Sequence, residues 1–96
     1  MLVRISTERK NVKWLCEIIG DFFNGFTVYN AIGYWQGKRE KSVVIEIDTA
    51  GFTSTQHLLL DLNIKTICHK IKGYNRQDAV LVQKIESETI LIWQYT

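Results

Sequence analysis

The run Phe26-Thr-Val-Tyr-Asn-Ala-Ile-Gly-Tyr-Trp-Gln-Gly-Lys-Arg-Glu-Lys-Ser-Val-Val-Ile-Glu-Ile47 decides the fold. Its first part, Phe26 to Trp35, is rich in aromatic and β-branched residues and reads as a strand. Gly33 to Lys41 reads as a turn carrying Gly33 and Gly37, with charges at Lys38, Arg39, Glu40 and Lys41. Val43, Val44, Ile45 and Ile47 then make an almost continuously apolar strand. Such a run suits a central strand covered over much of both faces. The two strands predict a long hairpin across the 36–41 turn.

Working outward, the chain carries a helix pattern on each side. From Asn11 to Phe23 the apolar residues Val12, Leu15, Cys16, Ile18, Ile19, Phe22 and Phe23 recur at steps of three and four. That is an amphipathic helix. Ser6 or Thr7 is the expected cap, and Asn24-Gly25 the expected stop. After a polar connection over 48–55, Ile64, Ile67, Cys68 and Ile71 repeat at helical spacing. They predict a second helix from about Leu62 to Lys72, with a start nearer Thr55 left open and Gly73 as the natural stop. The leucines within His57–Leu62 fit a helix or a strand. Leu2 to Ile5 and Ala79 to Ile85 read as strands. Glu86 to Glu88 reads as a tight turn, and Thr89 to Tyr95 as a last strand.

The order is β-α-β-β-α-β with an extra C-terminal strand. A central hairpin flanked by helices predicts an α+β, ferredoxin-like sandwich over residues 1–96 as a single domain. Right-handed crossovers put both helices on one face of an antiparallel sheet. Phe26, Val28, Tyr29, Ile32, Tyr34, Trp35, Ile90, Ile92 and Trp93 cannot all fit beneath two short helices. A face that apolar predicts a homo-oligomer.

Composition sets the outer limits. With 96 residues, 46% hydrophobic and 23% charged, the chain is globular rather than intrinsically disordered. A net charge of +2 disfavours nucleic acid as the partner, although Arg9, Lys10 and Lys13 cluster at the start of helix one. No apolar run approaches the roughly 20 residues of a membrane span, and the start lacks a signal-peptide core. Cys16 and Cys68 form no CxxC pair and fall on apolar helix faces, so reduced thiols in a cytoplasmic protein are expected. Cys68 and His69 are adjacent and point about 100° apart on a helix, which prevents joint chelation. No metal spacing, nucleophile elbow or other cofactor motif is present, so no cofactor and no enzymatic activity are expected.

The segment from Phe26 to Ile47 resembles small proteins of bacteria and their phages. In these a G-x-W-x-G-x-x-E-x-S segment leads into an apolar strand ending I-E. Asn75-Arg-Gln-Asp-Ala-Val-Leu-Val82 is similar to a second stretch of the same proteins, N-x-E-A-V-L-V, with Gln77 and Asp78 standing here. By architecture those proteins look PII-like. The resemblance implies ferredoxin-like subunits assembled as trimers. It also implies small anionic ligands, often nucleotides, held in clefts between subunits. The contacts would come from the hairpin loop and the loop after helix two, which correspond here to Gly33–Lys41 and Gly73–Asp78. The hairpin loop is much shorter than in classical PII proteins.

The candidate ligand-binding residues are therefore Gly33, Tyr34, Trp35, Gly37, Lys38, Arg39, Lys41, Tyr74, Arg76 and Gln77. Glycines let backbone amides approach an anion. The cations suit phosphate, and Arg39 can bind it bidentately. Tyr34 and Trp35 can stack on a base. The spacing is not that of a Walker A loop, since three residues separate the glycines and Arg39 follows Lys38. The plainer alternatives are a solvated hairpin turn with Trp35 packed between subunits, and an ordinary helix exit at 73–78. Glu46, flanked by Ile45 and Ile47, needs a partner. A salt bridge between subunits, to Arg4, is the expected one. Two functions remain in view: a non-enzymatic binder of an anionic ligand, and an interaction protein that acts on a host protein through the 33–41 tip.

Overall fold

Along the first strand, β1 (Leu2–Glu8), residues Val3, Ile5 and Thr7 are buried while Leu2, Arg4, Ser6 and Glu8 are only partly covered. This period of two marks a strand with one packed face. The computed structural model describes residues 1–77, 79–86, 88 and 90. It continues through α1 (Val12–Phe22), β2 (Thr27–Trp35), β3 (Lys38–Asp48), α2 (Ser54–Asn75) and β4 (Leu81–Ile85). The sheet order is β2-β3-β1-β4, with every neighbouring pair antiparallel. This is an α+β, ferredoxin-like fold.

Register fixes the core. Val3, Ile5 and Thr7 on β1 lie opposite Ile47, Ile45 and Val43 on β3. Leu15 and Ile19 of α1 and Leu60, Ile64, Ile67 and Ile71 of α2 complete one buried cluster against them. Burying a side chain of this size contributes about 1.5–3 kcal/mol. The other sheet face carries no helix and holds Leu2, Arg4, Tyr29, Val44, Glu46, Leu81 and Ile85.

Several local expectations change. α1 is not capped by Ser6 or Thr7, because β1 runs on through Glu8. Asn11 is the N-cap, in the left-handed conformation and without a capping side-chain bond. Its amide instead donates to Asn75 Oδ1 at 2.9 Å. The helix ends at Phe22, with an extended Phe23 rather than a left-handed Asn24 or Gly25. α2 starts at Ser54 rather than Leu62, in keeping with the start nearer Thr55 that the sequence left open, so the leucines at 58–60 are helical. Thr53 caps it, paired with Gln56 in a capping box. Gly73 does not stop α2 but lies inside it, and the left-handed C-cap is Arg76. The turn and strand expected over 86–95 fall largely outside the described residues.

A Cβ added at Gly73 would meet nothing within 4 Å. Glycine inside a helix costs stability through the freedom it loses on folding. Gly73→Ala is therefore expected to raise the urea-unfolding free energy by about 0.5 kcal/mol. A loss of stability would instead mark Gly73 as a true helix terminator.

Candidate functional site

The expected loop at 33–41 is mostly strand. β2 runs to Trp35, β3 begins at Lys38, and only Gln36 and Gly37 turn the chain. Both have positive φ, 51° and 77°, the pattern of a two-residue hairpin turn that suits the twist of the strands. Gly37 is thus required by the turn itself. Gly33 is an ordinary strand residue with room for a side chain beside it.

Strand alternation divides the candidate residues between two faces. Tyr34 pairs with Arg39, and Ile32 with Lys41, on the side that faces the helices. Trp35 pairs with Lys38, and Gly33 with Glu40, on the open side. Tyr34 is 72% exposed and Trp35 66% exposed. The two rings therefore cannot sandwich one base from a single chain. Each face offers one ring beside basic side chains: Tyr34 with Arg39 and Lys41, or Trp35 with Lys38.

Arg9 anchors the root of this hairpin. Its Nε donates to the Ser42 carbonyl at 3.2 Å, and its Nη2 to the Ala31 carbonyl at 2.9 Å. The basic cluster suggested by the sequence is thus partly committed to the fold. Lys10 forms an ion pair with Glu8 at 2.8 Å. On the open face, Arg4 Nε and Nη2 both donate to Glu46 Oε2, at 3.1 and 2.9 Å. The partner expected for Glu46 is correct, but the bridge lies within one chain rather than between subunits. The hydrogen bond to Glu46 raises the Arg4 pKa above its ordinary value.

The exit of α2 lies at the same end of the sheet as the hairpin tip, over β1 and β4. Here Gln77 is 8% exposed, and its amide is taken up by the fold. Nε2 donates to Thr7 Oγ1 at 2.7 Å and to the Ala79 carbonyl at 2.9 Å, while Oε1 accepts from Asn75 Nδ2 at 3.3 Å. The side chain suggested as a ligand contact thus has its amide engaged within the fold. Tyr74 stacks on Trp14 of α1, with ring centroids 4.0 Å apart and an interplanar angle of 10°. Arg76 is exposed. Sequence reading missed this Asn11–Asn75–Gln77–Thr7 network, because nothing local marks an amide that will be buried by a partner 64 or 70 residues away.

Other groups lie elsewhere. Cys16 and Cys68 are free and half-buried, and burial pushes the Cys68 thiol pKa up. His57 and His69 are exposed. Among the described residues, clefts away from the tip include three: one of about 400 Å3 at the opposite end, beside Phe23 and Phe52; one of about 510 Å3 beside Phe26 and Glu46; and one of about 300 Å3 between α2 and β4. No described helix is long and apolar enough to cross a membrane.

No protein-family model matches the sequence, and no curated protein matches it. Among solved structures, the fold is similar to that of a DUF3240 family protein from Shewanella baltica. The TM-score is 0.59 and the identity 14%, covering 95% of this chain and 94% of that one. It is also similar to a phage SAM lyase in complex with S-methyl-5′-thioadenosine. There the TM-score is 0.51 and the identity 15%, covering 84% of this chain and 76% of that one. At these identities the likeness is one of fold alone.

Replacing Gln77 by Ala leaves the Thr7 hydroxyl and the Asn75 amide short of partners in a buried site. The expected cost is about 2 kcal/mol in urea unfolding. An unchanged midpoint would show that the network contributes nothing to stability.

Proposed function

We propose that this chain is a non-enzymatic, PII-like binding protein, working in the cytoplasm as a homotrimer of single-domain subunits. It holds a small anionic ligand, a nucleotide in the favoured form, in clefts between subunits. The observation that carries the reading is the hairpin tip: two exposed aromatic rings and three cations on the strand ends that flank a two-residue turn. One chain offers them on opposite faces, so a cleft needs a second subunit.

The faces divide the work. Trp35 and Lys38 continue the open sheet face, where Leu2, Tyr29, Leu81 and Ile85 call for cover. Trp35 is assigned to subunit packing. Tyr34, Arg39 and Lys41, with the turn amide of Gly37, are assigned to the ligand. Arg76 and Tyr74, at the same end of the sheet over its other edge, are assigned to the neighbouring wall of the cleft. The SAM lyase gives indirect support, since its complex holds a nucleoside on a fold of this kind.

A second reading keeps the tip and removes the ligand. None of the three clefts includes a tip residue. A tip whose Tyr34 and Trp35 are this exposed also fits a protruding element that binds a host protein, whether the chain is of phage or bacterial origin.

Native mass spectrometry of the gently purified protein separates these readings. A trimer with added mass of nucleotide size is expected, followed by calorimetric binding of that nucleotide. Arg39→Ala should then weaken binding about tenfold without changing the assembly, as loss of a charge-assisted phosphate contact implies. Trp35→Ala should shift the protein toward monomer. A monomeric wild-type protein overturns the proposal. A clean trimer that gives no heat with adenine or guanine nucleotides transfers the tip to the host-protein reading.

A further inference from the structure

We propose that the cleft between α2 and β4 is a second binding site, for a single-chain anionic amphiphile such as a medium-length alkyl carboxylate. It is separate from the hairpin tip and does not rest on the function proposed for it.

The floor of the cleft is apolar: Ile64 and Cys68 come from α2, and Val80 and Val82 from the β4 side. On α2, Asp61, Lys65, Cys68 and Lys72 recur at steps of four, three and four, a single stripe along the helix. Val82 and Lys84 lie on the helix-facing side of β4, opposite Ile5 and Val3 of β1. The result is a channel rather than a hole. Asp61 to Lys72 spans about 16 Å of helix, and Val80 to Lys84 about 13 Å of extended chain.

The charges differ along this channel. At one end Lys84 pairs with Asp61, whose carboxyl is held below its ordinary range by the hydrogen bond from Lys84. At the other end Lys72 makes no ion pair among the described residues, and His69 is beside it. Lys65 lies between. The described lining thus has three lysines against one carboxylate, and that carboxylate is already paired. A ligand that matches this needs one anionic head and one apolar tail, with the head at Lys72.

Size argues against a larger partner. A cleft of about 300 Å3 is at the lower end for small ligands. A stable protein partner would need roughly 800 Å2 from this surface. Leu58, 83% exposed, lies about one turn beyond Asp61 on the same flank of α2, and Leu62, 62% exposed, lies next to Asp61. They offer apolar surface at the paired end, where the tail would leave the cleft.

Cys68 on the floor provides the readout. The experiment uses the Cys16→Ser protein and the rate of Cys68 alkylation by iodoacetamide, at about pH 9 because the thiol must ionise. Sodium decanoate, kept below its micelle-forming concentration, is expected to slow alkylation by at least about tenfold at saturation, as for a thiol shut off from reagent. Lys72→Glu should raise the half-protecting concentration about fivefold, the effect of one partly exposed ion pair. Decanol should protect less than decanoate. No protection by decanoate overturns the proposal. Equal protection by decanol and decanoate, insensitive to Lys72→Glu, overturns the anionic part. A Cys68 that resists alkylation in the free protein but reacts in urea shows a cleft already filled by the chain itself, and this also overturns the proposal.

Discussion

The pairing of Val3, Ile5 and Thr7 with Ile47, Ile45 and Val43 is the constraint from which the other features follow. Side chains alternate along a strand, so one residue of slip would turn the whole set away from the helices. With the register held, Arg4 and Glu46 must come together on the other face, and they do. Counting onward along β3 and across to β2 then places Arg39 and Tyr34 on the helix side and Lys38 and Trp35 on the open side. The chemistry of the tip is set by packing some five residues below it.

A second device joins the ends of the elements. β1 leaves the sheet at Glu8, and α2 must stop near it for β4 to enter on the far side of β1. Asn75 and Gln77 make that junction. Asn75 accepts from Asn11 and donates toward the Lys10 carbonyl, and Gln77 reaches Thr7. A buried polar network of this kind is worthwhile only when nearly every group is partnered. This explains why Asn11 gives up capping its own helix: its side chain serves the contact with Asn75. Arg9 acts similarly at the root of the hairpin, where its guanidinium reaches carbonyls of both β2 and β3.

These same contacts explain what the sequence does and does not reveal. The hairpin, both helices and the strands β1 and β4 are legible because apolar periodicity is a local signal. The Arg4–Glu46 pair is legible because a carboxylate between isoleucines needs a partner on a neighbouring strand. Gly73 misleads because glycine is a common helix stop, yet here two more residues continue the helix before Arg76 adopts the left-handed conformation. The early start of α2 does have a local mark, Thr53 with Gln56 three residues on, obscured by the polar composition around it. Gln77 is the opposite case. Its burial depends on Thr7, at the far end of the chain, and no local pattern predicts it.

The tip of the hairpin follows a different rule from the core. A hairpin that outruns its helices has neither face covered, and its side chains are then free of packing constraints. This chain fills those positions with tyrosine, tryptophan, lysine and arginine rather than with small polar residues. Exposed rings of this size cost solvation unless something meets them. Because alternation separates Tyr34 from Trp35, whatever meets them must do so from two directions. One partner can be a second subunit lying on the open sheet face, which already presents Tyr29 and Leu81 beside the Arg4–Glu46 pair. The other side, with Arg39 and Lys41 next to Tyr34, then remains available at the rim of that contact. The site proposed at the tip, divided in this way, would depend on assembly for its shape and on single residues for its specificity.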